Sequence, residues 1–388
     1  MLAPIRDYLG PRDPKSSLLL CATKDRYFNR LLVDVNPNLP EFGETRWIAS
    51  EDVNVEYLLN VSISIDPDVD ANWDACFNFM GHLYWHKPRQ TVLGPKIEAL
   101  PDGHPSKLQC LFQLSLLSGE TGNQVERKRL LTHTLRLGRQ KGDRSQVGET
   151  LKHLSDTNRL LGLHEEGIQQ AKEALAIFEE LGNKFWQGIC LNDLAGLFVS
   201  DKQLDAAINA ASRAIELFSE KDQGYRICMS YRLLGNAYRS KGEREKAIHH
   251  YEAALKIASP FDWHDELFWN HYDLVRLYLE EGDFDDANAH IEQAKSHALD
   301  DAYQTSRAME IQAEVWCRQG KLEDAASEAS RALESFEKLE AARDVERCRG
   351  LLQKIEHAGG AYPHLLTGTA PVSFWKQCCP LRLLILLR

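Results

Sequence analysis

Fourteen histidines and 57 aspartate and glutamate residues provide this 388-residue chain with side chains that catalysis or metal binding could use. His290 and His297 lie seven residues apart and share one face of a predicted helix, but the sequence places no third ligand beside them. His249 and His250 are adjacent, so their side chains leave a helix in different directions and cannot both face one ligand. We therefore predict no metal site at these histidines.

The sequence contains no known catalytic motif. No Gly-x-Ser-x-Gly motif positions a nucleophilic serine, and no Gly-x-x-x-x-Gly-Lys-Ser/Thr motif could cradle a triphosphate. The acidic segment 280–286 lacks the ligand register of a calcium-binding EF-hand. We expect it to form a solvated turn whose carboxylates favour the N-terminus of the next helix. The prediction is a protein that is not an enzyme and binds no cofactor.

Charge and cysteine usage narrow the class of protein. The formal net charge of −11 argues against a nucleic-acid binder, because phosphate backbones are bound by basic surfaces. The nine cysteines form no Cys-x-x-Cys pair, which favours reduced, buried thiols. The sequence has neither a signal segment nor an apolar run of the roughly 18 residues that a membrane span requires. We expect a cytoplasmic protein without nucleic-acid or membrane partners.

The elements that would position binding residues repeat along the chain. Predicted turns recur at steps of 40, 40, 40, 40 and 38 residues, at Gly122, Gly162, Lys202, Gly242, Gly282 and Gly320. Twelve residues after each turn stands a small residue: Thr134, Ala174, Ala214, Ala254, Ala294 and Ala332. Eight residues before the turns stand Leu114, Leu154, Leu194, Leu234, Leu274 and, as the exception, Gln312. These phased positions indicate six stacked copies of one helical unit.

The clearest unit, residues 231–260, predicts two antiparallel helices joined at Gly242 and closed by a proline. Its aromatic-x-x-Leu-Gly-x-x-Tyr pattern, followed by two alanines and the proline, resembles the tetratricopeptide repeat. The residues that carry the resemblance are Tyr231, Leu234, Gly235, Tyr238, Ala247, Ala254 and Pro260. The period of about 40 residues exceeds the usual ~34, so each unit would be extended by a turn or so. The resemblance covers residues 106–340 and implies an all-α, right-handed solenoid.

The segments on either side do not share the repeat. Before it, apolar residues at helical spacing predict helices over 1–9, 18–35, 51–65 (opened by Ser50) and 70–86, and the proline-rich stretch 88–106 predicts a linker. After it, residues 341–357 predict an amphipathic helix that caps the array. Residues 358–388 are expected to form a disordered or atypical tail.

A second resemblance concerns the N-terminal residues. Segment 7–31 and the motif Trp-His-Lys-Pro-Arg at 85–89, followed by long repeats, look like part of fungal STAND-class NTPases. In that family a NACHT-type nucleotide-binding domain precedes a tetratricopeptide array. The resemblance implies a helical, winged-helix-like connector over residues 1–100. Because the phosphate loop is absent, it also implies a truncated member or a fragment that begins after the catalytic module.

The tetratricopeptide resemblance also implies where ligands bind, since the first helix of each unit lines the concave groove. The inward positions of successive units hold Lys152, Asp156, Arg159, Asn192, Arg232, Asn236, Arg239, Tyr272 and Arg276. Arginine donates paired hydrogen bonds to carboxylates, and asparagine can bond a peptide backbone. The set resembles a clamp for an acidic peptide or its terminal carboxylate. The alternative is a set of ordinary solvated faces paired with local glutamates.

The sequence thus favours a non-catalytic protein–protein interaction scaffold, or sensor arm, that binds a peptide or partner domain in its groove. The alternative is the regulatory C-terminal part of a STAND-class signalling NTPase, which would make an intramolecular contact with a missing NTPase module. An in-frame phosphate loop in the upstream genomic sequence would favour the alternative.

Overall fold

The computed structural model describes residues 46–65, 70–86, 89–218, 224–299, 301–339 and 341–360. The predicted helices over 1–9 and 18–35 lie outside the described residues, as do all residues of the predicted tail after 360. Within the described ranges the chain forms 16 α-helices and one short 3₁₀ helix and contains no strand, which confirms the all-α fold class.

The helices follow one another with short connections. Those before the repeats are α1 (Arg46–Ile65), α2 (Asp70–His86) and α3 (Gly94–Ala99). The next eight are α4 (Lys107–Glu120), α5 (Gln124–Lys141), α6 (Arg144–Leu160), α7 (His164–Glu180), α8 (Lys184–Ser200), α9 (Leu204–Leu217), α10 (Gly224–Ser240) and α11 (Arg244–Ala258). After a 3₁₀ turn at Ser259–Phe261 come α12 (His264–Glu281), α13 (Phe284–Ala298), α14 (Ala302–Arg318), α15 (Leu322–Lys338) and α16 (Ala342–Gly360).

The chain divides into two compact units, residues 1–257 and 258–388. In the first unit, each helix from α4 to α10 packs against the next one along the chain, and α6, α8 and α10 also pack side by side. In the second unit, α12 to α16 follow the same rule, with α12, α14 and α16 side by side. In each unit, then, the first helices of successive pairs form one layer and the second helices pack against that layer.

The six predicted turns are confirmed by their backbone conformation. All six turn residues adopt left-handed dihedrals, with φ between 59° and 81°. Five are glycines, which reach this region without a Cβ clash. Lys202 occupies the equivalent position at φ 59°, so the repeat imposes the turn on a residue that disfavours it. In the acidic turn, Asp283 caps α13 by accepting a hydrogen bond from the backbone N–H of Asp286 at 3.3 Å, as its charge pattern predicted.

The small residues of the repeat lie where paired helices come closest. The six predicted small positions, from Thr134 to Ala332, are all at most 1% exposed. In the fourth pair, the Tyr251 ring of α11 lies so close to α10 that a Cβ atom on Gly235 would stand 2.5 Å from it. The Tyr251 hydroxyl donates to Asn236 Oδ1 at 2.9 Å, which holds the ring in place. Packing in this pair therefore depends on the missing side chain of Gly235.

Two predictions before the repeats are wrong in detail. Helix α1 begins at Arg46 rather than near residue 51, so Ser50 lies inside the helix instead of opening it. Nothing in the Arg-Trp-Ile-Ala-Ser segment breaks a helix, which explains the earlier start. The expected linker contains α3, because Pro95 stands in the first turn, where its missing N–H costs no hydrogen bond. The predicted core of α2 is confirmed in part: Trp73 and Met80 are buried with Phe77 packed against them, whereas the half-buried Tyr84 packs against a separate cluster.

Within the second unit, largely buried charges connect the last helix, α16, to α14. Arg307 of α14 contacts Glu310 at 2.9 Å and reaches Asp344 of α16 at 3.4 Å. Arg347 of α16 reaches back to Glu310, with Nη2 2.7 Å from Oε2. The side chains of Arg307, Glu310 and Asp344 are only 11%, 8% and 12% exposed. Because these charges are largely withdrawn from water, each depends on its partners.

Gly235→Ala is expected to lower the free energy of unfolding by about 1–3 kcal/mol, because the new methyl group collides with a fixed tyrosine ring. Gly350→Ala on α16 is the matched control: nothing lies within 4 Å of its Cβ position. It should stabilise the protein by about 0.5–1 kcal/mol through helix propensity. Urea unfolding followed by circular dichroism measures both. A neutral or stabilising Gly235→Ala would contradict the packing argument.

Arg307→Met keeps the aliphatic stem but removes the charge that Glu310 and Asp344 share. We expect a loss of about 3–5 kcal/mol in unfolding free energy, since two largely buried carboxylates would lose a common partner. Arg349→Met removes an arginine of α16 that bridges the exposed residues Glu346 and Glu337, and should cost about 0–1 kcal/mol. Equal losses in the two variants would show that the buried cluster has no special role.

Candidate functional site

Seven of the nine predicted groove residues lie on α6, α8 and α10, the adjacent first helices of the first unit. Lys152, Asp156 and Arg159 follow one stripe of α6. Asn192 is on α8, and the fourth pair supplies Arg232, Asn236 and Arg239 on α10. Tyr272 and Arg276 are on α12 of the second unit. The described contacts therefore form two sets, one within each unit.

The α6 residues form ion pairs with one another and with α5. Arg159 donates to Asp156 at 2.8 Å, and Arg127 of α5 approaches the same carboxylate at 3.6 Å. Arg127 also lies 3.2 Å from Nδ1 of His153. Burial lowers the pKa of His153 and the charges of Lys152 and Arg127 lower it further, so this imidazole stays neutral. Asp156 thus serves as the shared counter-ion of several cations.

A second aspartate links α6 to α8. Asp193 lies 3.6 Å from Lys152 Nζ, and the two side chains are 21% and 18% exposed. Burial raises the pKa of Asp193, and the nearby Asp156 raises it further against the opposing charge of Lys152. Burial would also raise the pKa of Asp156, but Arg159, Lys152 and Arg127 outweigh burial and hold it below its usual value. We call Arg127, Lys152, Asp156, Arg159 and Asp193 the ionic cluster.

Further cations act on this cluster. Arg226 of α10 acts on Asp193. Burial lowers the pKa of Arg159, but Asp156 and Asp193 raise it overall against the like charge of Arg232. Gly196 of α8 leaves room between these helices: a Cβ atom there would lie 4.0 Å from Cδ of Arg159. The surface therefore gathers guanidinium and ammonium groups around Asp156 and Asp193, and Glu120 also interacts with Arg127.

The two predicted asparagines contact residues of the repeats themselves. Asn192 is 5% exposed; it accepts a hydrogen bond from the Ser230 hydroxyl at 2.7 Å and donates to the Arg226 carbonyl at 3.4 Å. Asn236 accepts from the Tyr251 hydroxyl at 2.9 Å. Asn192 joins α8 to α10, and Asn236 joins α10 to α11. A peptide backbone would have to compete with these bonds.

The second-unit residues differ in exposure. Tyr272 is 4% exposed, and its hydroxyl accepts a hydrogen bond from Arg307 Nη2 at 2.6 Å. The same guanidinium lies over the Tyr272 ring, 4.8 Å from its centre. Arg276 is exposed. Of this pair, only Arg276 presents its side chain mainly to solvent, so the contribution of Tyr272 to ligand binding stays a prediction.

Three residues of this surface were not among the predicted site: Arg127, Asp193 and Arg226. Arg127 lies on a second helix and Arg226 precedes the inward stripe, so a rule based on one helix face misses both. The sequence does contain a signal that could have identified Asp193. Forty residues later the same position holds Leu233, so a carboxylate here is not required by packing. The contrast between Asp193 and Leu233 marks a position specific to one repeat.

The chemistry available on this surface is electrostatic. Within the described residues, no three histidine, cysteine, aspartate or glutamate side chains are grouped so that they could hold a metal ion. No helix in the described part of the chain is long and apolar enough to cross a membrane. What the surface offers is a set of half-buried cations with fixed neighbours, suited to holding a carboxylate.

Residues 146–220 and 225–300 match the family model of the tetratricopeptide repeat. These two segments carry the second to fifth of the six units seen in the sequence, which confirms the resemblance over that range. No curated protein sequence matches the chain significantly.

Several solved structures share the fold at low sequence identity. A Rap protein complexed with competence and sporulation factor is 14% identical, with 88% of this chain and 98% of that chain covered and a TM-score of 0.56. The Rap conjugation gene regulator of plasmid pLS20, in complex with the Phr* peptide, is 14% identical, with 89% of this chain and 96% of that chain covered and a TM-score of 0.51. A STAND protein with a tetratricopeptide repeat sensor from Pyrococcus horikoshii is 14% identical, with 93% of this chain and 65% of that chain covered. Its TM-score is 0.49.

Loss of charge should affect stability much more at Asp156 than at Asp193. At pH 7, Asp156→Asn is expected to lower the free energy of unfolding by about 1–3 kcal/mol, between the values for exposed and buried pairs. Asp193→Asn should change it by less than about 1 kcal/mol, because burial already disfavours the Asp193 carboxylate.

The pH dependence checks the sign. The pKa of Asp156 is depressed in the folded state, so its charge stabilises the fold above the ordinary aspartate pKa of 3.8. That stabilisation is lost as the pH falls below 3.8, and the gap between the wild type and Asp156→Asn should then close. Urea unfolding at pH 7, 5 and 3 measures it. A gap that does not change with pH would rule out the ionic origin.

Proposed function

We propose that this protein is a non-catalytic interaction scaffold whose helices α6, α8 and α10 bind a peptide or an extended segment of a partner protein. The observation that carries the proposal is the concentration of cations around Asp156 and Asp193, most of them on the first helices of adjacent repeats. The net charge of the chain as a whole is −11. These cations are therefore opposite in sign to the net charge of the whole chain.

The electrostatic repulsion between like charges supports an anionic ligand. Arg159 and Arg232 come from helices two repeats apart, and their mutual repulsion opposes folding. A carboxylate placed between them would relieve the repulsion and accept charge-assisted hydrogen bonds from both. Arg159 and Lys152 already hold aspartates of the chain, so a ligand carboxylate would join or replace these contacts. The preferred ligand is thus an acidic peptide.

The fold supports a peptide rather than a small molecule. Adjacent first helices repeat similar positions along one layer, so an extended ligand can make related contacts with α6, α8 and α10 in turn. One similar structure is described as a complex with the Phr* peptide, which supports a peptide as the ligand. For the second unit we propose Arg276 as an additional contact, because it is exposed on its first helix.

The second function suggested by the sequence was regulation of a STAND-class NTPase. None of the described contacts favours it over the scaffold, so it stays a prediction. It makes a separate demand: a nucleotide-binding module with a phosphate loop must act together with this chain.

A peptide-display selection against the full chain tests the proposal. We expect selected peptides to be enriched in aspartate and glutamate, and their affinity to fall as ionic strength rises. Arg232→Glu combined with Arg239→Glu should reduce that affinity at least tenfold, since it reverses two charges on α10.

Arg213→Glu combined with Arg139→Glu is the matched control. It makes the same change of charge on second helices, at exposed residues paired with Glu179 and Glu173. Circular dichroism should show that both double variants remain helical. If selected peptides lack acidic residues, or if the control weakens binding as much as the α10 variant does, the proposed surface is wrong.

A further inference from the structure

Four histidines line one edge of the α12–α13 pair in the second unit. His264 and His271 lie seven residues apart on α12, and His290 and His297 lie seven apart on α13. All four side chains are half-buried. We call them the histidine cluster. The sequence placed no third ligand beside the α13 histidines; the packing of α12 against α13 places one histidine of α12 beside each of them.

The four rings form two pairs through their Nδ1 atoms. His271 Nδ1 lies 3.0 Å from His290 Nδ1, and His264 Nδ1 lies 3.2 Å from His297 Nδ1. The His271 and His297 rings are stacked at 5.9 Å with planes 3° apart, so the pairs are neighbours. Tyr278 stacks on His290 at 5.4 Å and closes the cluster on that side.

Packing of the repeat does not require these histidines. Forty residues earlier, the four equivalent positions on α10 and α11 are Gly224, Tyr231, His250 and Ile257. In that pair, the His250 ring stacks against two tyrosine rings. Among the described contacts, it forms no nitrogen–nitrogen pair with another histidine. A glycine, an aromatic and an aliphatic residue can therefore fill the edge that the cluster occupies.

The distances within each pair match the bite of a metal ion. Zinc binds imidazole nitrogen at about 2.0–2.1 Å. Two nitrogens 3.0–3.2 Å apart then subtend roughly 95–105° at the ion, close to tetrahedral geometry. Imidazole is a preferred ligand of zinc, copper and nickel. No side chain would have to cross from one helix to another, because each pair already bridges α12 and α13.

Binding of a metal ion requires only a change of tautomer within each pair. In a metal-free pair, one Nδ1–H donates to the other Nδ1. When a metal binds, both rings carry their proton on Nε2, and no proton need leave the pair.

We propose that the histidine cluster binds divalent transition-metal ions, one between the Nδ1 atoms of each pair. Two metal–nitrogen bonds form at each ion and two of its water ligands leave. Because no three histidine, cysteine, aspartate or glutamate side chains in the described residues are placed so that they could hold one ion, water fills the remaining positions at each ion. The ions would repel each other across the stacked rings, so the second binds more weakly than the first. Each ion cross-links α12 to α13.

Calorimetric titration of the untagged full chain with zinc chloride, after removal of chelators, tests this proposal. We expect two binding steps. The double variants His271→Gln with His290→Gln and His264→Gln with His297→Gln should each lose one step, and the fourfold variant should lose both. His249→Gln, an exposed histidine of α11, is the control and should keep both. No binding to the wild type, or unchanged binding to the fourfold variant, would overturn the proposal.

Thermal unfolding separates metal binding from a purely structural role of the imidazole pairs. Zinc should raise the melting temperature of the wild type, because an ion that binds only the folded state stabilises it, and EDTA should reverse the rise. The fourfold variant, confirmed as helical by circular dichroism, should show no such rise. An equal rise in both proteins would place the metal elsewhere and contradict the assignment.

Discussion

Close approach of paired helices at small residues is the constraint on which the rest of this structure depends. Where Gly235 leaves space for the Tyr251 ring, α11 seats directly against α10, and buried alanines repeat this approach in other pairs. Uniform seating lets the first helices of successive pairs form one layer. Side chains on that layer contact those of neighbouring repeats, and the binding surface that we propose is built from such contacts.

The ionic cluster shows what such a layer can do that one helix cannot. Asp156 and Asp193 are the same residue type on adjacent helices, yet their pKa values move in opposite directions. Three cations surround Asp156, whereas burial dominates at Asp193. Arg232 adds a further positive charge to a region already rich in them. Stability alone would not select this concentration of cations, which is why we associate it with recognition of an anionic partner.

Sequence periodicity predicted the repeat but not the pairing of its polar side chains. The turns could be read even at Lys202, because phased spacing constrains the backbone whatever the residue. The partners of Lys152 and of His290 could not be predicted from the sequence, because they are set by the packing between helices. Asp193 and His271 stand where an equivalent repeat carries Leu233 or Tyr231, and that departure was the only signal available. Asn192 accepts a hydrogen bond from Ser230 on the first helix of the next repeat. A pattern read from a single helix does not show such a contact.

Hydrogen–deuterium exchange of the full chain, with and without an acidic peptide obtained by selection, tests the central claim most directly. The account predicts slower exchange in α6, α8 and α10 on binding, with α7, α9 and α11 changed less, because the ligand would contact first helices. The end turns of α6 and α10, near Arg159 and Arg239, should show the largest effect. Protection confined to the second helices, or no protection at a peptide concentration that saturates binding, would contradict it.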